Sequence, residues 1–161
     1  QIVAPEFGRL VRVDVTADVQ SWLANPASNQ GWVFMIDSDD GWEFTTFDNT
    51  LFEPILLLEA STRGVLPTQR PTLPTELEFD LPAQEDTEIR SDTPDTPLAA
   101  ATTISVDLQN GQTQASTQGL LKFDVSAVES FASAELKMIT TSPTSGTITA
   151  YRMIAHWEQG T

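Results

Sequence analysis

The chain has 161 residues, of which 23 are acidic and 8 are basic, so its formal net charge is −15, and it contains no cysteine. This length suits a single domain with a sizeable core, and the acid excess speaks against nucleic acid and anionic membranes as partners, because both need basic side chains. The lack of cysteine excludes disulfides, thiolate zinc sites and cysteine nucleophiles, and no apolar run approaches the ~20 residues that insert across a membrane.

Apolar patterns predict four strands in the first sixty residues. The predicted strands are 10–15, 32–36, 42–47 and 55–58. Residues 10–15 alternate apolar and polar side chains, as a half-buried strand does. The acidic turn before the third strand ends in Gly41, so we expect the second and third strands to pair as a hairpin.

One helix is predicted directly after the first strand. Thr16 has the side chain of an N-cap, and an apolar stripe follows in Val19, Trp22 and Leu23 at the spacing i, i+3, i+4. Pro26 ends the helix. We therefore expect Trp22 to lie in the core.

Four further strands are predicted after residue 100. They are 103–108, 120–125, 132–139 and 147–153. Asn110-Gly111 is a strong hairpin signal between the first two, and the turn Ser-Pro-Thr-Ser-Gly joins the last two. The sequence therefore predicts an all-β fold, a β-sandwich with one short helix.

The middle of the chain differs from both flanks. Residues 61–86 contain four prolines, a density that predicts an extended Pro-rich connector rather than a central strand. The connector divides the chain into half-domains at 1–60 and 87–161. Each half holds about four strands, too few to be stable without further strands to pair with.

Both halves contain motifs of a known domain family. The runs DVTADVQSW (14–22), NQGW (29–32) and, more loosely, PIL (54–56) resemble the closing half of DNRLRE-type domains, which spans residues ~9–60 here. The runs LLKFDV (120–125), AELKM (134–138) and TAYRM (149–153) resemble the opening half, at ~87–161. The resemblance implies a jelly-roll-like β-sandwich of secreted or surface proteins, often found beside carbohydrate-active modules.

The two halves stand in swapped order, because in that family the opening half comes first. Either one sandwich is circularly permuted within the chain, or each half completes a sandwich with a neighbouring chain. We favour the second arrangement, which joins copies head to tail, since a heterologous contact that does not close generates a filament. The residues expected in this subunit-joining core are Val13, Val15, Ile55, Leu57, Leu120, Leu121 and Phe123.

The leading functional hypothesis is therefore a non-catalytic structural subunit of an extracellular or cell-surface filament, whose partners are copies of itself. The alternative is a carbohydrate-binding module with polysaccharide as its partner, and a third hypothesis is a spacer within a longer protein. For the alternative, Trp42 and Trp32 are candidates for stacking on sugar rings. Packing in the core is the competing and favoured interpretation of both tryptophans.

Calcium is the one cofactor that the sequence indicates. Asp37, Asp39 and Asp40 place three carboxylates in one turn, and calcium prefers oxygen ligands. A solvated turn is the competing interpretation, because Asp and Gly are common turn residues.

No pattern in the sequence indicates catalysis. His156 is the only histidine, and no nucleophile turn accompanies it for a Ser-His-Asp arrangement. The 23 acidic residues are too numerous for a glycosidase pair to be recognised by spacing. We therefore expect a protein that is not an enzyme.

Overall fold

The computed structural model describes residues 2–3, 6–59, 78–94, 96, 101–109 and 115–159. Within these residues the chain forms strands, one α-helix and one 3₁₀ turn. The elements up to residue 59 are β1 (Ile2–Val3), β2 (Leu10–Asp14), α1 (Thr16–Ala24), the 3₁₀ turn (Pro26–Ser28), β3 (Trp32–Ile36), β4 (Trp42–Thr45) and β5 (Ile55–Glu59). The later elements are β6 (Glu78–Pro82), β7 (Glu85–Arg90), β8 (Thr103–Val106), β9 (Thr117–Lys122), β10 (Ser133–Ser142) and β11 (Thr147–Arg152).

The strands form two antiparallel sheets. The first has the strand order β1-β11-β3-β9-β7, and the second has the order β6-β5-β10-β4-β8, with β2 also paired to β10. Apolar side chains from both sheets form one core cluster. A backbone bridge between Asp107 and Thr117 joins the sheets where β8 leads into β9. The predicted all-β sandwich with one short helix is confirmed.

Strands of the two predicted half-domains alternate within both sheets. β3, from the first half, lies between β9 and β11 of the second half. β10, from the second half, pairs with β2, β4 and β5 of the first. The sandwich is therefore completed within one chain. We expected each half to take its missing strands from a neighbour; within this chain, the swapped halves supply those strands to each other. Association with further copies of the chain stays a prediction.

The seven residues predicted to join subunits instead join the two halves of one chain. Five of them are buried and two are partly buried. The buried ones are Val15, Leu57, Leu120, Leu121 and Phe123, and the partly buried ones are Val13 and Ile55. The pair Leu121 and Trp32, for example, links β9 of the second half to β3 of the first.

The predicted connector, residues 61–86, extends too far toward the C-terminus, because two strands of the structure begin within it. Residues 78–82 form β6, an edge strand beside β5, and Glu85 begins β7. Pro82 is the last residue of β6, a position at which an edge strand tolerates proline. Residues 61–77 lie outside the described part of the chain.

The short turns join strands in different sheets. β3 belongs to the first sheet and β4 to the second, so the turn 37–41 crosses the sandwich instead of closing the predicted hairpin. The turn between β10 and β11 crosses it in the other direction. β8 and β9 are also in different sheets, although Asn110-Gly111 itself lies outside the described residues. A turn signal predicts that the chain reverses, but burial of both apolar faces decides which strands pair.

Two clusters of aromatic rings fill the core. The first contains Trp22 of α1, Trp32 of β3 and Phe123, with ring centroids 4.5–6.0 Å apart. The second contains Phe34, Trp42 and Phe44, with centroids 4.7–6.0 Å apart. The expectation that Trp22 lies in the core is confirmed.

α1 begins at Thr16, but the Thr16 side chain does not cap it, which corrects the predicted N-cap. The hydroxyl accepts a hydrogen bond from the Ala134 N–H at 3.0 Å, while the Thr16 N–H donates to Asp14. Thr16 thus ties the helix to β10. No helix in the described residues is long and apolar enough to cross a membrane.

After β11, the chain lies across the ends of three strands of the first sheet. The Trp157 indole N–H donates to the Gln30 carbonyl, just before β3, at 2.7 Å. The Lys122 ammonium, at the end of β9, is 5.9 Å from the centre of the Trp157 ring. The Gln159 N–H donates to Glu85, at the start of β7. Residues 153–159 therefore connect β3, β9 and β7 at one end of the sheet.

Candidate functional site

β7 places charged side chains on the face that meets the second sheet. Residues at alternate positions of a strand share a face, so Asp86, Glu88 and Arg90 point the same way. Glu88 pairs with Gly119 across β7 and β9, and a Cβ on Gly119 would lie 2.6 Å from the Ile104 Cγ2 of β8. The missing side chain at Gly119 lets β8 approach closely, which brings Glu88 within reach of β8.

The carboxylate of Glu88 connects the two sheets. It accepts a hydrogen bond from the Ser105 N–H at 2.9 Å, and the Ser105 hydroxyl donates to Glu43 of β4 at 3.3 Å. Burial raises the pKa of Glu88, and the charge of Glu43 raises it further, against the opposing effects of the Ser105 N–H and Arg90. A partly buried carboxyl with a raised pKa is a feature of functional sites.

Arg90 is engaged by a carboxylate of its own. Its guanidinium donates two hydrogen bonds to Asp92, each at 3.2 Å, and the Arg90 side chain is 33% exposed. The charge of Arg90 is therefore balanced largely by Asp92 rather than by Glu88.

These strands line a groove of about 210 Å³ between the sheets. We call it the acidic groove. It contains four carboxylates, one guanidinium and three hydroxyls. It is lined by Asp40, Gly41, Trp42, Glu43, Glu88, Arg90, Ser105, Val106, Asp107, Thr117 and Ser142. Such convergent donors and acceptors suit a ligand that is rich in hydroxyl groups.

Thr117 adds an unsatisfied polar atom to the acidic groove. The residue is 6% exposed, and its Oγ1 has no hydrogen-bond partner. Most buried hydroxyls in proteins do have one. The Oγ1 atom itself has almost no exposed surface, and the hydroxyls of Thr45 and Thr141, outside the groove, also lack a partner, so Thr117 by itself does not mark a ligand site.

A second groove, of about 350 Å³, lies beside α1. Two of its polar side chains have partners within the chain. The Asn29 amide donates to the Phe123 carbonyl at 2.9 Å, and the Lys122 ammonium forms an ion pair with Glu85 at 3.0 Å.

The predicted sugar-stacking residues lie in the core. Trp42 is among the residues that line the acidic groove, but it is 0% exposed, and Trp32 is 1% exposed, so neither ring offers a surface for stacking. Their indole N–H groups donate to Thr140 and Asp18. The structure thus corrects the stacking hypothesis for both tryptophans. Exposed aromatic rings occur instead at Phe7, Phe47, Phe52, Phe79 and Tyr151, none of which lines the acidic groove.

Asp40, in the predicted calcium turn, holds two turns together. Its carboxylate accepts hydrogen bonds from the Ser145 N–H at 2.8 Å and from the hydroxyls of Ser38, Thr144 and Ser145. Hydrogen bonds from Ser38, Thr144 and Ser145 hold the pKa of Asp40 well below its usual range. The residue therefore fastens the β3–β4 turn to the β10–β11 turn.

The other two acids of this turn differ in their surroundings. Asp37 accepts the Thr147 N–H at 2.6 Å, and Asp39 is exposed. Across the described ranges, no group of three or more His, Cys, Asp or Glu side chains is arranged to hold a metal ion. Calcium binding at Asp37, Asp39 and Asp40 stays a prediction.

His156 lies in the C-terminal segment and is exposed. Its ring nitrogens contact Gln30 and Glu158, each at 3.2 Å. It is not among the residues that line the acidic groove.

The sequence-based prediction did not include the groove, because it placed the start of β7 in the connector and predicted no strand between residues 87 and 102. The signal is present in EDTEIR at 85–90, where charged side chains alternate with Thr87 and Ile89. This is a strand period with the charges on one face. The sequence does not show that this face turns toward the second sheet.

Comparison with known proteins identifies a family. The family model of carbohydrate-binding module family 96 matches residues 78–161, just over half of the chain. The matched part includes seven of the eleven residues that line the acidic groove, all except Asp40, Gly41, Trp42 and Glu43. No curated protein and no solved structure matches the chain. The resemblance to DNRLRE-type domains is not addressed by this match and stays a prediction. On the strength of the family match, the chain belongs to carbohydrate-binding module family 96.

Proposed function

We propose that the protein binds a polysaccharide in the acidic groove without cleaving it, as a module of a secreted or cell-surface protein. The observation that carries this proposal is the family match, which spans seven of the eleven residues that line the groove. The family is one of non-catalytic binding modules, in line with the absence of a catalytic pattern in the sequence.

The chemistry of the groove suits sugar hydroxyls. Carboxylates accept hydrogen bonds, guanidinium groups donate them and hydroxyls do both, so the groove offers partners to either side of a sugar O–H. Hydrogen bonds to the charged groups contribute about 1.5–3 kcal/mol each. A few such contacts, repeated along a polymer, are enough for a module that holds a chain without reacting with it.

Native electrophoresis through gels that contain soluble polysaccharides tests the proposal. Binding slows the protein, and the retardation measures affinity for each polymer. We expect at least one polysaccharide to retard the wild-type protein, and Glu43→Gln to reduce that retardation. Glu53→Gln is the matched control, because Glu53 is exposed, lies outside the groove and loses the same charge. The proposal fails if no polysaccharide retards the protein, or if the two variants behave alike.

The structure gives no support to the argument on which the filament hypothesis was based. It required half-sandwiches that depend on a neighbour, whereas β3 and β10 already connect the two halves of one chain. Polysaccharide is therefore the partner that we propose, in place of further copies of the chain.

A further inference from the structure

We propose that a second sugar-binding site lies at the end of β11, in a cavity of about 360 Å³ that takes a stretch of neutral polysaccharide. We call it the β11 cavity. It lies between the last residues of α1, with the 3₁₀ turn that follows, and the chain that leaves β11. It is lined by the polar residues Ser21, Asn25, Ser28, Gln30 and Arg152 and by the apolar residues Ala27, Met153 and Ile154. The inference adds a site to the proposed function and rests on that proposal only for the ligand being a sugar.

The β11 cavity differs in charge from the other concave surfaces of this acidic chain. Four carboxylates line the acidic groove, and Asp124 and Glu129 line the groove beside α1. Asp14, Glu59 and Glu135 line a crevice between β2, β5 and β10. No carboxylate of the described residues lines the β11 cavity, although the chain contains 23 acidic residues. Its polar lining therefore consists of amides, hydroxyls and one guanidinium.

Arg152 is the guanidinium of the cavity, and the fold holds it in place. Its Nε lies 3.4 Å from the Asp18 Oδ1, and its Nη1 donates to the Ser21 hydroxyl at 3.1 Å. Asp18 is itself fixed, because its Oδ2 accepts the Trp32 indole N–H at 2.8 Å. A guanidinium has more N–H donors than these two contacts use, so the half-exposed Arg152 side chain can also donate to a ligand.

The other polar groups combine fixed positions with spare hydrogen-bonding capacity. The Ser28 hydroxyl donates to the Asn25 carbonyl at 2.7 Å, and the Gln30 amide donates to the Ala27 carbonyl at 3.1 Å. The Ser28 oxygen can still accept a hydrogen bond. The Asn25 side chain is exposed and makes no capping hydrogen bond to the 3₁₀ turn. Its amide can therefore both donate to a sugar hydroxyl and accept from one.

Ile154 gives the cavity an apolar wall that the fold leaves uncovered. It is 97% exposed, the largest exposed fraction among the large apolar side chains that the structure describes. A neutral sugar ring has apolar C–H faces and hydroxyls around its edge. A ring placed against Ile154 and Met153 would cover apolar surface, which is favourable. Its hydroxyls would then meet the donors and acceptors of Arg152 and Asn25.

The charges at the cavity favour a neutral sugar over an acidic or an amino sugar. Arg152 is the one cation among the described residues that line it, and Asp18 already balances its charge. A uronic acid would meet a paired guanidinium in a chain of net charge −15, and an amino sugar would meet no carboxylate in the cavity. A neutral ring can accept hydrogen bonds from Arg152 while the ion pair with Asp18 persists.

The β11 cavity and the acidic groove lie at opposite ends of β3. Gln30, in the cavity, comes just before β3, and Asp40, in the groove, lies in the turn that follows it. A strand of five residues is about 17 Å long. Substitutions at sites this far apart act independently, so the two sites can be tested separately.

Nuclear magnetic resonance titration of the ¹⁵N-labelled protein with short oligosaccharides tests the inference. The neutral probes are oligomers of β-glucose, mannose and xylose, and the charged comparison ligands are oligogalacturonates and glucosamine oligomers of the same length. We expect at least one neutral oligomer to shift the signals of the Arg152 Nε–H and the Asn25 side-chain amide. The same oligomer should bind more tightly than either charged ligand.

Two variants with matched controls measure the contribution of the cavity. Arg152→Gln should weaken binding of the neutral oligomer about tenfold, because hydrogen bonds from a charged donor are lost. Arg9→Gln removes the same charge from an exposed ion pair with Glu6 outside the cavity and should change affinity less than about twofold. Ile154→Ser should weaken binding about fivefold, whereas Leu51→Ser, at a side chain 81% exposed elsewhere, should have no effect.

The outcomes distinguish this inference from the proposed function. Loss of affinity in Arg152→Gln but not in Glu43→Gln would support the β11 cavity and overturn the acidic groove as a binding site. The reverse result would overturn the inference and leave the proposed function intact. Tighter binding of a charged oligomer, or equal effects of Arg152→Gln and Arg9→Gln, would also overturn the inference. If none of the oligosaccharides and no polysaccharide gel binds the protein, both proposals fail.

Discussion

Asp86 is a carboxylate that the fold buries almost completely. It is 2% exposed at the start of β7, and its Oδ2 accepts the Phe47 N–H at 2.5 Å. Burial raises the pKa of Asp86 to about 6, and the neighbouring charge of Asp48 contributes to the rise, against the Phe47 hydrogen bond. At neutral pH, Asp86 is therefore mostly ionised, and the folded state bears the cost of burying that charge.

This burial predicts a pH-dependent cost to stability. Because the pKa of Asp86 is higher in the folded than in the unfolded state, its contribution to stability is fully present below pH ~4 and is lost as the pH rises through about 6. Asp86→Asn keeps an acceptor for Phe47 and removes the charge. We expect the variant to be more stable than wild type at pH 8, by up to about 3 kcal/mol, and equally stable at pH 4.

Urea unfolding at both pH values measures the difference. Asp39→Asn serves as the control, because Asp39 is exposed. A gain for Asp86→Asn that is the same at pH 4 and pH 8 would contradict the assignment.

Gly31 and Gly8 share a backbone conformation but not an environment. Both have φ of +73°, yet a Cβ on Gly31 would lie 2.3 Å from the Leu121 carbonyl oxygen, while a Cβ on Gly8 would meet nothing within 4 Å. We expect Gly8→Ala to cost about 1–2 kcal/mol from backbone strain alone. Gly31→Ala should cost more than about 3 kcal/mol, because backbone atoms of β9 must also move. Equal losses in chemical denaturation would show that the contact with β9 is unimportant.

At this scale, the sequence predicts apolar burial well and polar contacts poorly. Trp22, Leu120 and Phe123 could be assigned to the interior because their patterns repeat with the period of a helix or strand. The contact between Glu88 and Ser105 could not be predicted, because it joins strands in different sheets and has no periodic signal.

The turns are the elements in which local signals and the fold disagree. The strand β3 has the predicted bounds, but its predicted partner β4 lies in the other sheet. An apolar strand such as β3 can bury itself beside any strand of similar length. Its true partners, β9 and β11, are contributed by residues more than eighty positions later in the chain. Such pairings depend on the whole sandwich.

Asp40 holds the β3–β4 turn to the β10–β11 turn through its hydrogen bonds, which predicts that Asp40→Ala is less stable than wild type. The variant loses the acceptor for Thr144 and Ser145, so we expect a lower Tm at pH 7 than for wild type or for Asp39→Ala. Since the folded-state pKa of Asp40 is depressed, its contribution is present above pH ~4 and is lost as the pH falls through the folded-state value. The difference between the variant and wild type should therefore shrink in acid. Identical Tm values for the two alanine variants at pH 7 would show that the hydrogen bonds of Asp40 between the two turns do not stabilise the fold.

For the whole molecule, strands of the two halves alternate within each sheet. This arrangement predicts that the protein is a monomer and that it stays folded after the chain is cleaved between the two halves. We would insert a protease site between Arg70 and Pro71 and cleave the folded protein. The two fragments should elute together at the size of the intact 17.6 kDa chain and separate only in denaturant, because each sheet contains strands of both. Light scattering of the uncut protein should give the mass of one chain. Fragments that separate in buffer, or a polymeric uncut protein, would favour completion between neighbouring chains.

At the scale of the whole molecule, the sequence predicts some features of the fold and not others. Its class and its division into two complementary halves follow from strand patterns and from motifs at both ends of the chain. The choice between one chain and several does not follow, because the same strands satisfy the same sheets in either arrangement. The acidic groove depends on that choice, since Glu43 comes from the first half and Glu88 from the second.

The placement of β10 at the centre of the second sheet has a consequence for synthesis. β5 leaves the ribosome with the first half of the chain, whereas its neighbour β10 begins only at Ser133. At a synthesis rate of ~5–20 residues per second, roughly 4–15 s pass between the synthesis of β5 and the start of β10, and during this time one edge of β5 has no partner strand. Contacts so distant along the chain also make folding slow. We therefore expect chaperones and proteases to act on the nascent first half of the chain, before the sandwich has formed.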